Sequence, residues 1–163
     1  MKKPLVGVLM GSESDLSVME QAAQVLTEFG VPYEMMIISA HRLPEETAEY
    51  AKGARKHGIE VLIAGAGMAA HLAGAVASHT TLPVIGVPLA SGALGGADAL
   101  YSTAQMPQGV PVATVAIDGA KNAAYLACSI LSIKYPDVAR ALEAYRAETR
   151  KRLIGKNIEL QKK

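Results

Sequence analysis

Apolar residues along this chain follow two alternating patterns, short unbroken runs and stretches in which they recur every three or four positions. The first run, residues 5–10, predicts a strand; Leu16, Met19, Ala23, Leu26 and Phe29 then recur at helical spacing. Asp15 stands where that helix needs a cap, and Gly30 where it must stop. Residues 33–38 predict a second strand, followed by a helix over about 44–56 that opens on Pro44, carries Glu45 and Glu46 in its first turn and ends at His57-Gly58. Residues 61–64 predict a third strand, opening into Gly65-Ala66-Gly67-Met68-Ala69-Ala70-His71 and a small-residue helix to about His79. Residues 83–88 and 112–117 predict a fourth and a fifth strand. Continuous apolar strands joined by helices imply a sheet covered on both faces, so the expected fold class is α/β, a three-layer αβα sandwich around a parallel sheet.

Two regions depart from the alternation. Residues 89–109 are rich in Gly, Ala and Ser and include Ser91-Gly92-Ala93-Leu94-Gly95-Gly96, a loop suited to covering a ligand, with a helix near 97–102. At the other end, a helix near 122–133 is followed after Pro136 by another, over about 136–153. Val138, Leu142, Tyr145 and Thr149 form its stripe, which packs on its own sheet or on a neighbouring subunit. The polar tail after Leu153 is expected to fray. At 163 residues, half of them apolar, the chain suits one domain, with its core over about 5–134.

Composition narrows the function classes. A net charge of +1 with both signs interspersed, and 4% aromatic residues, leave neither an electrostatic footprint nor stacking platforms for nucleic acid. No segment approaches the ~20 apolar residues of a membrane helix, and the run at 5–10 is too short for a signal peptide. Cys128, alone in an alanine-rich helix, reads as a core hydrophobe, and a reducing cytoplasm fits best.

The candidate chemistry lies where strands run into loops, the places at which open α/β sheets bind small ligands. Gly11-Ser12-Glu13-Ser14-Asp15 offers hydroxyls, backbone N–H groups and a helix start, a set suited to phosphate. Asp15 either caps the helix or holds another part of a ligand. Ser39-Ala40-His41-Arg42 adds an imidazole suited to acid-base chemistry and a planar cation for phosphate. His71, among small residues that allow close backbone approach, is placed to hydrogen-bond a ligand or cap a helix. His57 and His79 fall at helix ends. No histidine pair has ligand spacing on one element and Cys128 has no partner, so no metal is expected. The nucleoside triphosphate loop and the dinucleotide fingerprint are both missing, so no cofactor is expected either. From the residues alone, a sugar-phosphate isomerase would suit the same parts.

Five motifs in order, Gly11 to Asp15, Ser39 to Arg42, Ala64 to Leu72, Pro83 to Pro88 and Gln105 to Thr114, resemble the PurE family of purine biosynthesis over about residues 5–150. The resemblance implies a flavodoxin-like sheet and a cytoplasmic homo-octamer in which the C-terminal helix reaches a neighbouring subunit. It further implies the mutase branch, which converts N5-carboxyaminoimidazole ribonucleotide (N5-CAIR) to 4-carboxyaminoimidazole ribonucleotide (CAIR). Arg42 stands where the branch that carboxylates aminoimidazole ribonucleotide (AIR) directly has lysine, and Ala69-Ala70-His71-Leu72 where that branch has an Arg-Ser-Asn loop. By resemblance His41 is the catalytic proton carrier, and Ser12, Asp15, Ser39, Arg42, Gly67, Met68, Ala69, Ala70 and His71 bind the nucleotide. Met68 and Ala73 stand where the family pattern has glycine and proline.

Overall fold

The computed structural model describes residues 3–162. Its centre is a parallel five-stranded sheet in the order β2-β1-β3-β4-β5, formed by β1 (Val6–Met10), β2 (Tyr33–Ile37), β3 (Val61–Gly67), β4 (Val84–Leu89) and β5 (Ala113–Thr114). Every strand pair is parallel. The strands are joined by α1 (Leu16–Glu28), α2 (Pro44–His57), α3 (Leu72–Ser78) and α4 (Ala97–Ala104), and β5 is followed by α5 (Ala120–Leu131) and α6 (Pro136–Gln161). This is the expected αβα sandwich of flavodoxin-like type. Among the described residues no helix is long and apolar enough to cross a membrane.

The sheet separates two apolar cores. On one side Val6, Val8, Ile63 and Val87 meet α1 and α5, with Val138 and Leu142 from the start of α6; on the other Leu9, Leu62, Ala64 and Val84 meet α2 and α3. Successive residues of β1 and β3 thus point into different cores, which is why their sequences are apolar without alternation. Cys128 is fully buried in the first core, where burial pushes its thiol up to about 11. It is the core hydrophobe expected.

Three expectations need correction. β3 continues to Gly67, past the predicted end at Ala64, because Ala66 and Gly67 still pair with Pro88 and Leu89. β5 shrinks to two residues: after Val115 donates to the Gly86 carbonyl the chain turns away through Asp118, whose φ is +55°. The tail does not fray, since α6 runs on to Gln161. Only Val138 and Leu142 of that helix are buried, and Leu153, Ile154 and Ile158 are exposed.

Candidate active site

Four loops at the carboxyl ends of β1, β2, β3 and β4 meet in one cleft of about 510 Å³. The strand order explains their meeting. The connection from β1 leads outward to β2 and that from β3 outward to β4, so a crevice opens above the β1–β3 pair at a topological switch point. Ser12, Asp15, Ser39, His41 and Arg42 line it, as does the whole loop from Gly67 to His71. Every catalytic or binding residue expected from the sequence therefore lies on the same cavity.

The first wall is the turn after β1. Ser12, in extended backbone, caps a single 3₁₀ turn over Glu13–Asp15, its hydroxyl accepting weakly from the Ser14 N–H at 3.4 Å. The Ser14 hydroxyl donates to Ser12 Oγ at 3.1 Å and reaches Asp15 Oδ1 at 3.4 Å. Asp15 precedes α1 but its side chain makes no capping bond, which corrects the capping role expected of it. Burial pushes its carboxyl above the ordinary 3.8, against the opposing pull of hydrogen bonds from Ser14, Ser12 and Gly11 and of the Arg42 charge. A carboxylate kept out of the cap and partly desolvated is available to a ligand.

Arg42 spans the crevice floor from the second loop. Its Nε donates to Ser39 Oγ at 3.3 Å and its Nη2 to the Gly11 carbonyl at 2.8 Å. Ser39 is nearly buried, whereas Arg42 is exposed. Two bonds to fixed partners orient the guanidinium fork, and its other N–H groups bond nothing among the described residues. Arg42 makes no ion pair with Asp15, so cation and carboxylate remain separate binding elements.

The third loop brings the second histidine. His71 Nδ1 lies 2.7 Å from His41 Nε2, with the rings edge to face and their centroids 4.9 Å apart. Such a contact requires one N–H and one lone pair, so one ring donates to the other and the tautomer decides which. The hydrogen-bond partner of His71 is His41, and its side chain caps nothing, which removes the capping role expected of it. The loop carrying it is strained: Met68 and Ala70 both adopt positive φ, at 55° and 36°. Left-handed backbone in two non-glycine residues beside a cleft is a common mark of a functional loop. Met68 is 60% exposed.

Ser91, after β4, completes the wall and is a lining residue that the sequence does not single out. Its hydroxyl fills the notch where a Cβ on Gly67 would otherwise sit. The glycine-rich run around it is the only signal, and it points to a covering loop without choosing a residue. Among the described residues no group of three or more His, Cys, Asp or Glu side chains is arranged to hold a metal.

Comparison with known proteins gives the family of the chain. Residues 5–152 match the family model described as AIRC, AIR carboxylase. The chain is 61% identical over 155 residues to the N5-carboxyaminoimidazole ribonucleotide mutase of Pyrococcus horikoshii, covering 95% of this chain and 88% of that protein. It is 59% identical over 153 residues to the protein of the same name from Thermotoga maritima, covering 94% and 90%. The crystal structure of Treponema denticola PurE superposes with a TM-score of 0.88 at 33% identity, covering 96% of this chain and 98% of that one. A match of this extent makes the chain a member of the AIR carboxylase, or PurE, family.

Proposed function

We propose that the protein is an N5-carboxyaminoimidazole ribonucleotide mutase, an isomerase of purine biosynthesis that converts N5-CAIR to CAIR. The observation that carries this reading is the union, in one cleft, of an oriented guanidinium and serine hydroxyls with a hydrogen-bonded histidine pair. The name shared by relatives about 60% identical supports it.

In this reading Arg42 and Ser12 hold the phosphate and Asp15 a ribose hydroxyl or the substrate amine. Ser39 fixes the guanidinium, and the backbone from Gly67 to Ala70 closes around the carboxylate. The bond between the exocyclic nitrogen and the carboxylate carbon breaks, releasing CO2 as His41 gives that nitrogen a proton. Ring carbon 4 of the resulting AIR attacks the trapped CO2, and the proton it then sheds returns to His41. One proton and one CO2 leave and return, so the balance requires no oxidant, reductant or nucleotide triphosphate. The chain otherwise supplies orientation and exclusion of water.

The family model's description names carboxylation of AIR, which is the alternative on the same site. Arg42 and Ala70-His71 favour the mutase by resemblance. The deciding experiment is an ultraviolet assay for CAIR without ATP, comparing N5-CAIR with AIR plus bicarbonate. Turnover of N5-CAIR is expected; turnover only from AIR and bicarbonate would overturn the mutase reading. His41→Asn is expected to abolish turnover nearly completely while nucleotide binding survives.

The enzyme works in the cytoplasm as a homo-octamer. The exposed apolar residues of α6, Leu153, Ile154 and Ile158, support a helix that packs on a neighbouring subunit, which sedimentation of the full chain tests directly.

A further inference from the structure

We infer that Asp118 is a positioning residue for this cleft, holding the exit of β4 so that Ser91 stands against Gly67. The inference rests on the reading of the cleft as the reaction site. Asp118 lies on the turn after β5, and it grips the β4 exit at two points. Its backbone N–H donates to the Pro88 carbonyl at 2.8 Å, and its carboxylate Oδ1 accepts from the Ala90 N–H at 2.9 Å. These bonds bracket Leu89, the last residue of β4.

Ser91 comes next, at the start of a loosely held stretch. Among the described residues, no backbone N–H from Ser91 to Gly95 makes a hydrogen bond. The Ala90 bond is thus the final anchor before the segment that walls the cleft. The loop returns to the same point, for a Cβ on Gly96, at φ +90°, would lie only 3.1 Å from the Ala90 Cα. Gly92 sits beside Met68, a Cβ there being 3.6 Å from Met68 Cγ. A shift at Ala90 therefore moves Ser91 out of its notch at Gly67 and disturbs Met68 as well.

The backbone of Asp118 points the same way. A residue at φ +55° is ordinarily glycine, or Asn or Asp where the side chain finds a local partner. Here the partner is the Ala90 N–H across the strand ends. Glycine at this position would suit the backbone and remove the anchor, while asparagine would keep an oxygen acceptor in the same geometry.

Those two substitutions test the inference in the full-length chain. Asp118→Gly is expected to leave the melting temperature almost unchanged and to lower kcat/KM for N5-CAIR about tenfold, mostly through KM. Asp118→Asn is expected to stay within about twofold of the parent. Exchange of the Ala90 amide, which donates to the Asp118 carboxylate, should quicken in the glycine variant, while that of β1 and β3 stays unchanged. Unaltered kcat/KM and exchange in Asp118→Gly, or an asparagine variant as impaired as the glycine one, would overturn the assignment. If the parent fails to turn over N5-CAIR, the reaction is wrong, and the exchange measurement still decides whether Asp118 holds the loop.

Discussion

His41 Nε2 and His71 Nδ1 are 2.7 Å apart although 30 residues separate them in the chain. They stand on the loops after β2 and β3, two strands that flank β1 from opposite sides, so the contact bridges the crevice. If His41 carries the proton as proposed, replacing His71 with asparagine should lower kcat about tenfold or more with little change in KM, because His41 loses its partner while Arg42 and Ser12 stay in place. Losing His41 should cost on the order of 10²–10⁴. Nitrogen-15 NMR of the parent should find the two rings, when neutral, in the same tautomer, both carrying hydrogen on Nε2 or both on Nδ1, because only then does the Nε2–Nδ1 contact hold a single proton. Opposite tautomers would count against the hydrogen bond.

Arg42→Lys removes the fork that reaches Ser39 and Gly11 at once. A lysine ammonium on a flexible stem cannot reproduce both bonds and still present a planar pair of donors. The expected outcome is a KM raised about tenfold or more at nearly constant kcat, the pattern of an interaction equally strong in ground and transition states. A fall in kcat alone would move Arg42 from anchoring into the chemical step.

Asp15→Asn should stabilise the free protein at neutral pH while weakening substrate binding. Burial raises the folded-state pKa of Asp15 above 3.8, so the folded chain holds this proton more tightly than the unfolded chain. The group favours folding fully below 3.8, and that contribution is lost as pH rises through the raised folded value. The melting temperature of the asparagine variant should therefore exceed that of the parent near pH 7, with the difference vanishing in acid. A gain that persists unchanged below 3.8 would show that the charge is not its source.

Met68→Gly and Met68→Val should differ sharply in urea denaturation. At φ +55° a side chain costs about 1–2 kcal/mol, and glycine removes that cost at an unfolded-state penalty of about 0.5–1 kcal/mol. The glycine variant is thus expected within about 1 kcal/mol of the parent, and valine, branched at Cβ, about 1–3 kcal/mol below it. Equal stability for both would mean that the loop relaxes its backbone instead of holding it.

The fold is legible in the sequence where burial is complete. The runs that form β1, β3 and β4 are apolar without interruption because Val8 and Leu9, or Leu62 and Ile63, enter opposite cores. The expected β5 is too long because the apolar character of 112–117 continues past the point where pairing with β4 stops at Thr114. The fraying expected after Leu153 fails for a different reason: helical backbone needs no buried face to continue, and polar residues such as Lys156 and Glu159 support it as an i,i+3 pair. At the site, residue types at strand ends identify His41, Arg42 and Asp15. Ser91 escapes notice because its role depends on the missing side chain at Gly67, a fit between distant segments that no local pattern records.

The cleft draws its parts from Gly11 through Ser91, and this span makes ligand occupancy a joint property of the first four strands. No single βα unit carries the whole site, so early folding species should lack measurable affinity and recognition should switch on late in assembly. The converse comes from mass action: saturating ligand at 100 times its dissociation constant adds about 2.7 kcal/mol to the native state as a whole. Protection from hydrogen exchange should then spread to amides in β1 and β3 that never touch the ligand, and a nucleotide analogue would serve as a folding reporter as much as an inhibitor.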